Sequence, residues 1–171
     1  MTTKYSHLTR VGLFCALIAV CSLLQIPFDP PFTLQTFAVF LCAGVLGGNR
    51  GLVAVGCYLA LGAAGLPVFA GFRGGVGHLI GTTGGFLIGF LPAVAMTGFL
   101  PKKLPLFLRM LCGLLVLYLC GTAWYCLLYA PDTGIGGIAA AVLRYVLPFL
   151  PFDLAKLFLA AKLTVSLEKR M

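Results

Sequence analysis

The chain has 171 residues, of which 61% are hydrophobic and 9% charged, and its 12 Lys and Arg against 4 Asp and Glu give a net charge of +8. Ordinary globular domains run at roughly 45–50% apolar and about 25% charged residues, so this chain cannot clothe a water-soluble surface. In a soluble protein the basic excess would suggest a nucleic-acid partner; in a chain this apolar it records membrane topology instead, and no nucleic-acid partner is expected.

About 20 apolar residues cross a hydrocarbon core of ~30 Å. Punctuation by Pro and Gly divides the chain into six candidate spans, near residues 8–26, 34–47, 51–66, 79–99, 105–129 and 137–166. The expected fold is an all-α polytopic membrane protein in which residues 1–171 form a single six-helix membrane domain, preceded by a short cytoplasmic tail over residues 1–7. Lys4 and Arg10 ahead of the apolar stretch 11–24 imitate a signal peptide. No small-x-small cleavage site follows, however, and Ala19-Val20-Cys21 lacks the small residue that a lipoprotein signal places before its cysteine, so the first helix is read as retained.

Spans two and three are short, and Gly47-Gly48-Asn49-Arg50-Gly51 between them predicts a tight turn and hence a helical hairpin. The last span is too long: about 30 residues of helix reach about 45 Å. Pro148 and Pro151 each lack an N–H and clash with the carbonyl four residues earlier, at Arg144 and Leu147, which predicts a break there and a membrane helix restarting near Pro151.

With six spans, Lys4, Arg10, Arg50, Lys102, Lys103, Arg109, Lys162, Lys169 and Arg170 share one side. The opposite loops hold Arg73 with Asp29 and Asp132, while Arg144 and Lys156 belong to the last span. By the positive-inside rule both termini are cytoplasmic. The 7 cysteines all lie inside apolar runs, with no CxxC pair and no Cys/His cluster, and read as small thiols packed between helices.

Catalytic and metal-binding residues are scarce. Ser6, Ser22 and Ser166 stand in no G-x-S-x-G context, and His7 and His78 are too isolated to hold a metal. Of the acids only Asp153 falls within an expected span at membrane depth, which disfavours a carboxylate dyad. The glycine-rich segment 71–85 fails the phosphate-loop pattern, since Val76 and Thr82 stand where glycine and lysine are required. No catalytic residue, metal or cofactor is assigned, and any ATPase must be another chain.

Three constellations remain. The glycine-rich segment offers closely approachable backbone at Gly71 and Gly75, flanked by Phe69, Phe72, Phe86 and Arg73; it reads as a ligand-covering loop, with Gly84, Gly85 and Gly89 open to a helix-packing role. Asp153 and Lys156 share a helix face beside the Pro-broken entry, and charges at such depth either pair structurally or line a polar cavity. Arg144 either joins them or snorkels to the outer interface. Finally, Gly12, Ala16 and Ala19 leave one stripe of the first helix nearly bare, which permits close approach either of a partner helix or of another helix of this chain.

Four segments in order, Pro31-Phe-Thr-Leu-Gln-Thr36, Gly65-Leu-Pro-Val-Phe-Ala-Gly71, Gly81-Thr-Thr-Gly-Gly-Phe-Leu87 and Pro148-Phe-Leu-Pro-Phe-Asp-Leu-Ala-Lys156, resemble the BioY family, the biotin-binding S components of energy-coupling-factor transporters. The resemblance implies six helices in a bacterial cell membrane, biotin held near the outer face as the transported ligand, and uptake driven by a separate transmembrane coupling subunit with two ATPases. It places the family's P-G-D-x-x-K motif on Pro151, Phe152, Asp153 and Lys156, and G-P-T-G-G on Gly81, Thr82, Thr83, Gly84 and Gly85. Phe152 and Thr82 depart from it. It also implies that the Gly12/Ala16 stripe docks the coupling subunit.

Biotin suits the residues. Asp153 and Lys156 complement the ureido N–H donors and carbonyl acceptor, Phe69, Phe72 or Phe152 could wall the bicycle, and Arg73 with the loop amides could take the valerate carboxylate. Another vitamin, a proton-coupled carrier using Asp153, and a non-transporting scaffold are the competing expectations.

Overall fold

The computed structural model describes residues 2–27, 31–130 and 135–169, with side chains described from His7 onward except at residue 135. Asp29, Asp132 and Arg170 therefore lie outside the described residues. The elements in chain order are α1 (Thr2–Leu23), β1 (Gln25–Ile26), β2 (Phe32–Thr33), α2 (Gln35–Ala63), α3 (Val76–Ile80), α4 (Gly84–Phe99), α5 (Leu106–Leu128), α6 (Ile135–Tyr145) and α7 (Leu150–Glu168). Helix α1 begins at Thr2, so the segment expected as a tail is itself helical.

α2 is not one straight rod. Gly47 interrupts it with φ 74° and ψ −174°, a region of backbone space open essentially to glycine. A Cβ on Gly51 would lie 3.6 Å from the Cα of Ala43, whereas eight residues along a continuous helix span about 12 Å. The two arms thus fold back on each other, as the Gly-rich turn predicts. Helix α4 is seated on this turn, with Gly98 against the backbone of Gly47 and Gly48.

The Pro-broken span also appears as predicted. α6 and α7 meet at a bend of 52°, and Pro151 sits in the first turn of α7, where its missing N–H costs nothing because that N–H has no helical partner. α4 and α5 approach closely because Gly85 and Gly89 have no side chains: a Cβ there would fall 2.1 Å from Trp124 Cβ and 3.0 Å from Cys120 Cβ. These two glycines serve helix packing.

By length and composition α5 is long and apolar enough to cross a membrane, and α6 with α7 qualifies as a broken span, while the apolar residues of α2 are divided between its two folded-back arms. The core gathers Ile18, Phe40, Tyr58, Met110, Leu114 and Leu157 at zero exposure. Outside it, Leu119 and Leu127 on α5 are 69% and 79% exposed, a surface that suits lipid rather than water.

The molecule has two distinct ends. At one, Arg50 reaches His7 (3.3 Å), and Arg109 donates from Nε and Nη2 to the carbonyl of Thr97 (3.0 and 2.7 Å), satisfying the open C-terminal carbonyls of α4. At the other, Trp124 and Tyr129 of α5 donate to the carbonyls of Gly81 and Ile80, beside the β1–β2 ribbon and the start of α7. The basic loops thus gather at the first end, and a cavity opens at the second.

Candidate functional site

The site begins with the entry to α7. α6 stops at Tyr145 and α7 starts at Leu150, and in the first turn of α7 Asp153 is turned inward while Pro151 and Phe152 stay exposed. Asp153 is buried there, its side chain 5% exposed and that of Lys156 13%. Lys156 Nζ lies 2.8 Å from Asp153 Oδ1, and the Tyr118 hydroxyl donates to Oδ2 at 2.8 Å. Each carboxylate oxygen is therefore held by a donor from a different side. A charge buried this deeply is costly unless partnered, and here both partners are fixed to helices.

This group lies in the wall of a cavity of about 510 Å³, within the usual 300–1,000 Å³ of small-molecule sites. The apolar wall comes from Phe86, Leu87 and Phe90 of α4, Leu117 of α5, and Tyr145 and Phe149 of the α6–α7 junction. The polar wall comes from Gln25 and Thr33 of the β-ribbon, Gln35 and Thr36 of α2, and Arg73, His78, Thr82 and Thr83 of the connection between α2 and α4.

That connection closes over the site by backbone bonding. Phe69 and Arg73 exchange two hydrogen bonds (2.9 and 3.3 Å), closing a turn in which Gly71 and Phe72 both take positive φ, 74° and 57°. A non-glycine residue in that region is strained, a feature that concentrates at ligand-binding segments. The Gly75 N–H then ties the loop back to the carbonyl of Gly62 (2.7 Å). His78 stacks on Phe69 at 5.4 Å; its burial, and secondarily the Arg73 charge, hold its pKa below the ordinary value of 6.5.

Of the residues singled out from sequence, Asp153, Lys156, Arg73, Gly71 and Thr83 line the cavity. The others are placed elsewhere. Phe69 is fully buried behind the loop, edge-on to Tyr58 at 5.5 Å. Phe72 points outward, 69% exposed, because its positive φ turns the side chain away from the turn's interior. Gly75 acts through its N–H to α2 rather than toward the cavity.

Phe152 is 58% exposed: one residue along the helix from an inward Asp153, it faces outward, with its edge against Phe32 at 5.0 Å. The wall position expected for it belongs to Phe149, which stacks on Phe32 at 4.2 Å and lines the cavity. Arg144 is not in the cavity wall; its guanidinium sits over the Tyr145 ring at 5.7 Å. On α1, Gly12 and Ala16 are exposed, and a Cβ on Gly12 would meet nothing within 4 Å. Ala19, by contrast, is half-buried against the core.

Sequence reasoning missed Tyr118, Gln25, Gln35 and Phe149. Tyr118 is hidden in a continuous apolar run, where a hydroxyl carries no periodic signal. The two glutamines were open to detection, since uncharged polar groups at the ends of apolar spans need partners. Gln35 Nε2 donates to the Tyr58 hydroxyl (2.8 Å), which also contacts Ser22 Oγ (3.2 Å), and Gln25 is taken up below.

The model of the BioY family matches residues 1–171. The chain is 41% identical over 168 residues to the biotin transporter BioY of Thermotoga maritima, covering 95% of this chain and 96% of that protein. It is 39% identical over 166 residues to the biotin transporter BioY of Rhodobacter capsulatus, covering 88% and 86%. Its fold is similar to the crystal structure, at 2.1 Å, of the S-component for biotin from an ECF-type ABC transporter: the TM-score is 0.87 at 26% identity, covering 98% of this chain and 93% of that one.

Proposed function

The chain belongs to the BioY family, and from that premise we propose that it is the biotin-binding membrane subunit of an ATP-driven uptake system. The observation that carries the reading is the Asp153–Lys156 ion pair, with the neutral Tyr118 hydroxyl on the same carboxylate, facing a cavity of ligand size. A carboxylate that accepts and an ammonium that donates match a ureido group, which offers N–H donors beside one carbonyl acceptor. Phe86, Phe90 and Phe149 supply the apolar wall a fused bicycle requires, and Arg73 supplies a cation for the valerate carboxylate. Thr83 and the Gly71 backbone are further ligand contacts in this reading.

The chain brings no catalytic group to this task. Energy comes from two ATPases acting through a separate transmembrane coupling subunit, and that coupling subunit meets the membrane face of α1 at Gly12 and Ala16. That stripe is exposed, and the described residues place nothing against Gly12. Six spans are counted as α1, the two arms of α2, α4, α5 and the broken α6–α7 pair. With the Arg50, Lys102, Lys103 and Arg109 end facing the cytoplasm, both termini are cytoplasmic and the cavity opens outward. The setting is the bacterial cell membrane, with lipid around the exposed leucines.

The test is mass spectrometry of small molecules that co-purify with the detergent-solubilised chain, followed by titration calorimetry. Biotin is expected in the co-purified fraction, with saturable binding. A different vitamin in that fraction, or none, overturns the assignment.

A further inference from the structure

Gln25 and Arg73 reach one point of the cavity from opposite sides. The β1–β2 pairing matches Gln25 with Thr33 and Ile26 with Phe32, and alternation along the strand turns Gln25 toward the cavity while Ile26 stays exposed. On the other side, the 69–73 turn delivers Arg73. A Cβ built on Gly71 would lie 3.3 Å from Gln25 Nε2 and 3.7 Å from Arg73 Nε. The space left by the missing side chain is thus flanked by two N–H-bearing nitrogens. The Gln25 side chain also carries an unsatisfied atom, its Oε1 being buried without a hydrogen-bond partner.

We propose that Gln25 is a second donor, beside Arg73, for the carboxylate of the bound ligand. This rests on the biotin reading and assigns one more residue within that site. The chemistry favours an anion there. Arg73 brings charge and the amide brings a directed N–H, and donors converging on a carboxylate oxygen make the stronger, charge-assisted class of hydrogen bond. The amide torsion of glutamine is broad and roughly two-fold, so with its Oε1 held by no hydrogen bond the NH₂ can turn to face the ligand. A neutral donor also leaves the valerate end no more positive than Arg73 makes it, which keeps that end distinct from the Asp153–Lys156 end.

The experiment is titration calorimetry on the purified full-length protein with biotin and with biotin methyl ester, whose carboxylate charge is removed. Gln25→Leu is expected to weaken biotin about tenfold, about 1.4 kcal/mol, while leaving the ester within about threefold of the native protein. Gln25→Lys, which keeps a donor at the same position, is expected to hold biotin within about threefold. Melting temperatures measured alongside identify any variant that loses the fold, and Gln25→Ala, with the same loss for biotin and not for the ester expected, then carries the test. Unchanged biotin affinity in Gln25→Leu, or equal weakening of acid and ester, overturns the role of Gln25 alone. No biotin binding by the native chain overturns the underlying reading and this inference with it.

Discussion

The Tyr118 hydroxyl lies 2.8 Å from Asp153 Oδ2 while Lys156 Nζ lies 2.8 Å from Oδ1, so α5 and α7 hold one carboxylate from two sides. Neither oxygen can shift toward a ligand without stretching a bond to a helix. Such preorganisation lowers the ordering cost of binding, and it couples the three residues, so that each substitution also alters the partners left behind.

Asp153→Asn and Lys156→Ala are each expected to weaken biotin binding at least tenfold, about 1.4 kcal/mol. Removing either member strands the other as a buried charge and leaves one end of the ureido group unmatched. Tyr118→Phe keeps the ion pair and removes one neutral donor, so a loss of about three- to tenfold is expected, in the 0.5–1.5 kcal/mol range of a single hydrogen bond. Calorimetry on folded variants ranks the three. Near-native affinity in both charge variants would reduce the pair to a structural role.

The gross architecture was legible because membrane physics writes it in composition: apolar runs, Pro and Gly punctuation, and basic loops at one end. The Gly47 turn and the break before Pro151 could be read for the same reason, since both rest on residues whose backbone behaviour is nearly independent of context. The β1–β2 ribbon was not legible, because two residue pairs carry no periodic signal. The aromatic wall was misassigned for a geometric reason. Phe149 and Phe152 are three positions apart, but a helix junction falls between them, and the inward face of α7 is fixed by Asp153, which sequence alone cannot orient relative to the loops.

Acidification should reveal His78. Its folded pKa is depressed by burial and then by Arg73, so as pH falls the unfolded chain takes up the proton first, beginning near the ordinary 6.5. The native state binds fewer protons in that window, and stability therefore falls with falling pH until the depressed native pKa is passed. The melting temperature of the native protein is expected to drop between about pH 7 and pH 5, with a shallower drop in His78→Gln. Identical pH profiles for the two proteins would show that His78 does not carry the effect.

The hairpin in α2 depends on one backbone geometry. Gly47 holds φ 74° and ψ −174°, and a Cβ there would meet nothing within 4 Å, so Gly47→Ala isolates conformational strain from steric clash. The expected cost is about 1–3 kcal/mol, read as a lower melting temperature in detergent. The turn lies at the end of the molecule opposite the cavity, so biotin affinity of the folded fraction should stay within about threefold. A variant as stable as the native protein would contradict the assigned turn.

The last prediction separates docking from packing on α1. Gly12 and Ala16 are exposed, with open space where a Gly12 side chain would project, whereas Ala19 is half-buried against the core. A leucine at residue 12 or 16 therefore extends into the membrane and obstructs only a partner that approaches closely; a leucine at residue 19 overpacks the subunit itself, at a cost of typically 1–3 kcal/mol. Gly12→Leu and Ala16→Leu are expected to abolish uptake in cells and co-purification of the coupling subunit, while melting temperature is kept and biotin affinity stays within about threefold, ~0.65 kcal/mol. Ala19→Leu is expected to lower melting temperature and uptake together. The contrast between neighbours on one helix is the decisive readout, because a general effect of bulk in α1 would make all three variants alike. Loss of biotin binding in step with loss of stability at residues 12 and 16 would show that the stripe packs inside the subunit and docks nothing.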